Sequence, residues 1–241
     1  MNNTSLLSDK NIPAEDRLIF ALDYPSIDEA RAIVETLGNS VTFYKVGLEL
    51  FMTGGGFELV KWLTERNKKV FVDLKFFDVP QTVQSAVRAL SKHGAAFATI
   101  HGNDSIMAAA AKDKGDMKVL AVTMLTSLDE GDVRDLGFQV DVKDIVLSRA
   151  KRALQLGCDG VISSGLEVAE LREHLGDNFI VVTPGIRPVK NTDDQKRTVD
   201  VEEAFHNGAD YIVVGRPIKE HADPKQAAED IQRRIKTLFG D

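Results

Sequence analysis

The sequence predicts an α/β protein folded as a single (β/α)8 barrel, also called a TIM barrel. The chain has 241 residues, close to the roughly 250 residues typical of such barrels. Eight short apolar runs are spaced along it, and stretches with the amphipathic character of helices separate them. The β-branched, nearly continuous apolar character of the runs is typical of strands covered on both faces. The runs are LIFALD (18–23), TFYKVG (42–47), VFVDLK (70–75), FATIH (97–101), VLAVTML (119–125), GVISS (160–164), FIVVTPGI (179–186) and YIVVGRPI (211–218).

The segments between the runs carry the start and stop signals of helices. Residues 26–37 place five apolar side chains on one stripe, which predicts a helix packed against the strands. We expect the helix after the fifth run to end at Gly157, because glycine commonly follows a helix C-terminus. The last helix is expected to begin at Asp223 and Pro224, because proline is favoured at the first helical position.

An open, doubly wound sheet is the alternative to the closed barrel. Its two edge strands would be less apolar or more charged than the central ones. None of the eight runs clearly has that character, so the closed barrel is favoured. Residues 1–16 are interpreted as a loose polar N-terminal leader, and residues 17–241 as one barrel domain.

Composition argues against two classes of partner. Lys and Arg total 30 and Asp and Glu total 37, giving a formal net charge of -7. An acidic chain is a poor candidate for broad binding to nucleic acid or to a membrane surface.

The single cysteine, Cys158, allows no intrachain disulfide, which fits a cytoplasmic location. No apolar run reaches the roughly 18–20 residues of a membrane span, and the N-terminus lacks the apolar core of a signal peptide.

Charged residues occur at the carboxyl ends of the first three runs, where barrel enzymes carry their catalytic groups. The first run ends in Asp23, and the second contains Lys45 between apolar neighbours. The third ends in Asp73 and Lys75, and Asp78 follows in its loop. Because alternate residues of a strand face the same side, we expect Asp73 and Lys75 to point together into the barrel mouth. A structural ion-pair network is the alternative interpretation.

The loops after the seventh and eighth runs predict a phosphate site. They carry Arg187, Gln195, Gly215 and Arg216, and parallel barrels often hold phosphate at this position. Arginine can bind two phosphate oxygens, and glycine lets the backbone N–H approach the anion. The long polar segment 188–198 suits a lid over the ligand. Taken alone, either arginine could instead be a solvent-exposed charged residue in a loop.

Other candidate residues have structural interpretations. The five histidines show no metal-ligand spacing, so no metal site is predicted, and a packing role is expected for His101. Cys158 is expected to be buried, and Trp62 and the phenylalanines are assigned to the core.

The segment DLKFFDVPQT at 73–82 resembles the D-x-K-x-x-D-[IV]-P-x-T motif of the orotidine 5′-phosphate decarboxylase family. The other runs agree, among them YKVG, VTPGIRP and VVGRPI, and the resemblance covers about residues 17–238. Phe77 stands where the family commonly has histidine and Gln81 where it commonly has asparagine. The resemblance implies a carboxy-lyase that converts orotidine 5′-monophosphate (OMP) to UMP and CO2. It also implies the last step of de novo UMP biosynthesis and no metal or organic cofactor.

The resemblance further implies roles for individual residues. Lys75 would donate a proton to C6 of the pyrimidine, within a charged array completed by Lys45, Asp73 and Asp78. Asp78 and Thr82 would come from the second subunit of a homodimer. The remaining substrate contacts would be Asp23 and Lys45 on the ribose, Asp73 beside the substrate carboxylate, Thr126 on the base, and Arg187, Gln195, Gly215 and Arg216 on the phosphate.

Two rival functions stay open at this point. A Mg2+-dependent sugar-phosphate decarboxylase or aldolase could use the same scaffold, but it would need an acidic ligand on the second strand, where this chain has Lys45. A non-catalytic barrel that binds a phosphate ligand could keep both arginines. It would not need two lysines together with two carboxylates.

Overall fold

The computed structural model describes residues 6–187 and 198–240. Eight parallel strands form a closed barrel in which each strand pairs with the next and β8 pairs with β1. This confirms the predicted (β/α)8 fold. The strands are β1 (Leu18–Ala21), β2 (Phe43–Gly47), β3 (Lys69–Phe76), β4 (Phe97–Ile100), β5 (Lys118–Val122), β6 (Gly160–Ile162), β7 (Ile180–Thr183) and β8 (Tyr211–Val214).

Helices connect successive strands on the outside of the barrel. The helices are α1 (Ile27–Leu37), α2 (Leu48–Met52), α3 (Gly56–Thr64), α4 (Pro80–Ser91), α5 (Asp104–Lys112), α6 (Glu130–Asp135), α7 (Val142–Gln155), α8 (Val168–Leu175), α9 (Val201–His206), α10 (Arg216–Lys219) and α11 (Pro224–Phe239). Five of these helices, α1, α5, α6, α9 and α11, have N-termini capped by a side chain. Ser26 accepts a hydrogen bond from the backbone N–H of Glu29, and Asp223 accepts one from Gln226 ahead of the last helix.

The apolar runs of the sequence are longer than the last two strands. The seventh run continues past the end of β7 into a turn at Gly185, whose φ of 77° lies in the left-handed region. The eighth continues past the end of β8, because Arg216 already begins α10. These two runs therefore extend beyond the strands into loops that line the cavity described below.

Aromatic side chains fill the lower part of the barrel interior. The ring centroids of Phe43 and Phe97 lie 5.0 Å apart. The next inward-facing positions on β2, β3 and β4 are Lys45, Asp73 and Thr99, since inward side chains recur every second residue. Polar side chains therefore face the barrel interior above the aromatic layer, at the carboxyl ends of these strands. The inner cluster consists of Ile19, Ala21, Phe43, Phe71, Phe97, Leu120, Val182, Tyr211 and Val213.

Residues 8–17, which precede β1, contact the barrel, whereas residues 1–16 were expected to be a loose leader. The fully buried carboxylate of Asp210 accepts hydrogen bonds from Ser8 Oγ at 2.5 Å and from Lys10 Nζ at 3.0 Å. The guanidinium of Arg17 donates to the carbonyl oxygens of Lys10 and Asp210. Ser8 and Lys10 depart from that expectation because polar residues can pair with a buried partner that lies about 200 positions away in sequence.

Two other expectations from composition were tested. Cys158 is buried as predicted. The assignment of all phenylalanines to the core is wrong for Phe57, Phe77 and Phe138, whose exposed fractions are 45%, 69% and 53%. Within the described ranges, no helix combines the length and the apolar character that crossing a bilayer requires.

Candidate active site

A cavity of about 290 Å³ opens at the carboxyl ends of the strands. Its floor is apolar and its walls carry the charged and polar groups that the sequence singled out. The predicted site residues that line it are Asp23, Lys45, Asp73, Lys75, Thr126, Arg187, Gly215 and Arg216.

Two lysines flank the Asp73 carboxylate inside this cavity. Lys75 Nζ lies 2.9 Å from Asp73 Oδ1, and Lys45 Nζ lies 3.7 Å from Oδ2. Lys45 also contacts Asp23 Oδ1 at 3.3 Å, so its ammonium lies between two carboxylates. Gly47 leaves room for this ammonium, since a Cβ at that position would lie 3.1 Å from Lys45 Nζ. Strands β1, β2 and β3 therefore bring four alternating charges together.

The environment keeps the Asp73 carboxylate ionised. Burial by itself would raise the pKa of Asp73. The charges of Lys45 and Lys75, with hydrogen bonds from Lys75 and Thr99, more than offset burial and hold the pKa of Asp73 below its usual value. A carboxylate with this pKa is negatively charged at neutral pH.

Strand β3 is irregular where it carries the site. Its register with β4 shifts between Val72 and Phe76, and Lys75 has a φ of 47°. Left-handed backbone is strained for a residue with a long side chain, at a cost of about 1–3 kcal/mol. The sequence predicted a common direction for Asp73 and Lys75 from strand alternation, and both do line the cavity, but the backbone between them is not regular strand.

Thr99 is a polar residue of the site that the sequence interpretation missed. Its Oγ1 donates a hydrogen bond to Asp73 Oδ1 at 2.7 Å and accepts one from the backbone N–H of Lys75 at 2.9 Å. The signal was present in the fourth run, where Thr99 lies two residues after Phe97 and so faces inward. A threonine in an apolar run is easily interpreted as an ordinary strand residue.

His101 lies beside the array without lining the cavity. Its ring is packed edge-on against Phe77, with centroids 5.4 Å apart. Burial, with the charges of Arg149 and Lys75, lowers the pKa of His101. This packing agrees with the role expected for His101.

The wall of the cavity that follows β7 and β8 is cationic and suits an anion. Arg187 follows β7, and its backbone N–H donates to the carbonyl of Val199 at 3.0 Å. Gly215 and Arg216 follow β8, where α10 begins. Lys219, one turn further along α10, donates to the backbone carbonyl of Asp23 and so links this wall to the charged array.

Three of the predicted site residues do not line the cavity in this chain or cannot be placed. Asp78 and Thr82 are exposed, and Asp78 Oδ1 accepts a hydrogen bond from the backbone N–H of Val79 at 2.6 Å. Gln195 lies outside the described residues, as does most of the segment expected to form a lid. Among residues 6–187 and 198–240, no three His, Cys, Asp or Glu side chains are grouped as metal ligands.

The amino-acid sequence is similar to known proteins over nearly its whole length. Residues 16–231 match the family model described as the orotidine 5′-phosphate decarboxylase / HUMPS family. The chain is 63% identical over 237 residues to an orotidine 5′-phosphate decarboxylase of Methylococcus capsulatus, covering 98% of each sequence. It is 48% identical over 225 residues to one of Nitrobacter winogradskyi, covering 92% of this chain and 93% of that one.

Solved structures show the same likeness. The crystal structure of orotidine 5′-phosphate decarboxylase from Lactobacillus acidophilus superposes with a TM-score of 0.82 at 38% identity. The match covers 91% of this chain and 99% of that one. The chain therefore belongs to the orotidine 5′-phosphate decarboxylase / HUMPS family.

Proposed function

We propose that this chain decarboxylates OMP to UMP and CO2, the last step of de novo UMP biosynthesis, without a metal or organic cofactor. The observation that carries the proposal is the Asp73 carboxylate between the ammonium groups of Lys45 and Lys75. Arg187 and Arg216 line the same cavity. A nucleotide that carries a carboxylate on its base needs both groups of residues. The charged array acts on the reacting carboxylate, and the arginines bind the phosphate.

In the proposed complex, the nucleotide spans the cavity from the cationic wall to the array. Arg187, Gly215 and Arg216 bind the phosphate, together with Gln195. Asp23 and Lys45 contact the ribose hydroxyls, and Thr126 contacts the base. Binding energy from the phosphate, remote from the reacting carbon, is then available to lower the barrier of the chemical step.

The reaction breaks the bond between C6 and the carboxylate and leaves an electron pair on C6. Asp73 lies beside the substrate carboxylate, and repulsion between the two negative charges favours the departure of CO2. Lys75 stabilises the developing carbanion and transfers a proton from Nζ to C6. The positions of both groups are fixed before substrate binds, which is the condition for electrostatic stabilisation of a transition state.

A homodimer is part of the proposal. Asp78 does not line the cavity of its own chain, and its neighbours Phe77 and Val79 expose 69% and 63% of their surface. Exposed apolar side chains around a charged residue suit a subunit interface. Asp78 and Thr82 would then reach the cavity of the partner. No nucleic-acid or membrane partner is proposed, and the proposed location is the cytoplasm.

Lys45 argues against the Mg2+-dependent alternative. Its ammonium lies 3.3 Å from Asp23 and 3.7 Å from Asp73, where a divalent cation would compete with it for the same carboxylates. A chelator distinguishes the two functions. We expect the loss of OMP, followed by ultraviolet absorbance, to proceed at the same rate with and without EDTA. Inactivation by EDTA and recovery with Mg2+ would favour the alternative.

Replacing the proposed proton donor tests the chemistry directly. We expect Lys75→Ala to lower kcat by about 10³-fold or more, while UMP still binds with a Kd within about tenfold of the wild-type value. Lys61→Ala, the same change on an exposed helix face, is the matched control and should turn over normally. Near-normal turnover by Lys75→Ala would contradict the assignment. If Lys75→Ala lost UMP binding but kept its kcat, Lys75 would have a role in binding and not in proton transfer.

A further inference from the structure

A single hydroxyl connects the two central members of the charged array. Thr99 Oγ1 donates its proton to Asp73 Oδ1 at 2.7 Å and accepts the backbone N–H of Lys75 at 2.9 Å. A hydroxyl has one donor and two acceptor lone pairs, so both bonds can be made at once. The Lys75 side chain contacts the same carboxylate oxygen, which closes a ring of three hydrogen bonds.

The hydroxyl is held rigidly by the barrel. Thr99 is fully buried and lies in β4, which pairs with β3 on one side and with β5 on the other. A β-branched side chain has few accessible rotamers on a strand. Thr99 is not one of the residues that line the cavity, so it can act on a ligand only through its neighbours.

The backbone at Lys75 needs this support. Lys75 has a φ of 47°, and the β3–β4 register shifts between Val72 and Phe76, so regular strand pairing is interrupted there. The Thr99 hydroxyl supplies the acceptor for the Lys75 N–H at that point. Without it, this part-buried N–H would lose its partner, and the strained conformation would lose one of the contacts that hold it.

We infer that Thr99 is a positioning residue that fixes the Lys75 backbone and the Asp73 carboxylate in their reactive geometry without touching the substrate. The inference rests on the proposed function, because the reactive geometry is that of decarboxylation. Thr123, just after β5, offers a contrast, because its Oγ1 donates to the backbone carbonyl of Ile162 at 2.9 Å and not to a carboxylate.

Two pairs of variants isolate the hydroxyl. Wild type and Thr99→Val differ by a hydroxyl against a methyl of similar volume, and Thr99→Ser and Thr99→Ala differ by the hydroxyl alone. If Thr99→Val does not fold, the second pair still gives the comparison. Thr123→Val is the matched control, since it removes a buried strand hydroxyl that has no contact with the array. For each protein, kcat and KM for OMP, the Kd for UMP, the melting temperature and the hydrogen-exchange rate of the Lys75 amide are measured.

We expect loss of the hydroxyl to lower kcat by roughly tenfold to a hundredfold, as for one hydrogen bond to a charged group. The Kd for UMP should change less than about threefold. The Lys75 amide should exchange at least about tenfold faster in Thr99→Val and Thr99→Ala. Thr99→Ser should retain kcat and slow exchange, and Thr123→Val should retain kcat whatever its melting temperature.

Two results would overturn the inference. One is unchanged kcat or unchanged Lys75 exchange in both variants that lack the hydroxyl. The other is an equal loss of kcat in Thr99→Ser and Thr99→Ala, which would assign the effect to packing of the methyl group. A wild-type protein that does not convert OMP would defeat the proposed function instead. In that case the exchange rates would still report whether the hydroxyl holds Lys75.

Discussion

Asp73 depends on its neighbours for its charge. Its side chain is 13% exposed, and an isolated carboxylate at that depth would favour its protonated form. Lys45 and Lys75 reverse this tendency. The ion pair with Lys75 helps to keep Asp73 ionised. It therefore also sets the distance between Asp73, which is proposed to repel the substrate carboxylate, and Lys75, the proposed proton donor.

A lowered pKa of Asp73 has a defined consequence for pH dependence. A carboxyl group whose pKa is lower in the folded state than in the unfolded state stabilises the fold at pH values above the unfolded-state pKa of about 3.9. That stabilisation is lost as pH falls through the lowered folded value. We expect the Asp73 signal in a carbon NMR titration, assigned with Asp73→Asn, to show a midpoint below the usual value of about pH 3.9. A midpoint near pH 6 would contradict the described contacts.

The proposed contact between Arg216 and the phosphate can be tested by substitution. We expect Arg216→Ala to weaken UMP binding by roughly tenfold to a hundredfold, because a charge-assisted contact to phosphate is lost. Binding of uridine, which lacks the phosphate, should be unaffected. Arg233→Ala, at an exposed arginine of α11, serves as the control. Equal weakening of UMP and uridine by Arg216→Ala would remove the phosphate assignment.

At the scale of elements, the barrel depends on close approach between neighbouring strands. A Cβ at Gly160 of β6 would lie 2.1 Å from the carbonyl oxygen of Ile180 in β7. Backbone at that distance cannot move aside as a flexible side chain can. Glycine at this position is therefore a requirement of strand packing, at the end of the barrel opposite the cavity.

Replacing this glycine should destabilise the fold before it affects chemistry. We expect Gly160→Ala to lower the free energy of unfolding by about 3 kcal/mol or more, since a rigid clash forces the strands apart. Urea denaturation measures the change. Gly131→Ala, in α6 with one neighbour at 3.1 Å, should change stability by no more than about 1 kcal/mol. Equal stabilities of the two variants would contradict the described β6–β7 spacing.

The N-terminal segment is also an element held by distant partners. Asp210, at the start of β8, gathers Ser8, Lys10 and Arg172 around one fully buried carboxylate. Removing one partner of such a buried group is costly because the other charge stays buried. Residues 8–17 thus contact the end of the barrel opposite the cavity.

At the scale of the whole molecule, the proposed active site needs two chains. Asp78 and Thr82 belong to the recognised motif, yet they are exposed and do not line the cavity of their own chain. A symmetric dimer would use the same surface on both subunits. Each cavity would then gain one Asp78 from its partner.

Mixing two inactive variants tests this arrangement. Lys75→Ala and Asp78→Ala should each have little activity as homodimers. In an equal mixture, half of the dimers are mixed, and each mixed dimer has one site with both residues intact. We expect recovery of about a quarter of the wild-type activity under random exchange of subunits. No recovery, with subunit exchange verified by mass spectrometry, would place Asp78 in its own subunit's site or outside the site.

Much of the fold and part of the site could be predicted from local patterns. The eight apolar runs correspond to the eight strands, and Asp23, Lys45, Asp73 and Lys75 line one cavity. Residues whose role depends on irregular backbone or on distant partners could not be predicted. Thr99 is one of them, because its partners depend on the β3–β4 register shift. The attachment of Ser8 and Lys10 to Asp210 is another.

The sequence by itself determined the barrel and the end at which its polar groups collect, because burial on both faces and strand alternation are written in residue order. Tertiary structure alone decided which groups touch. It set the left-handed φ at Lys75, the Thr99 hydroxyl that supports it, and the exposure of Asp78. Hydrogen bonds and charge pairs act over about 3–4 Å, and no spacing along the chain specifies such a distance between different strands.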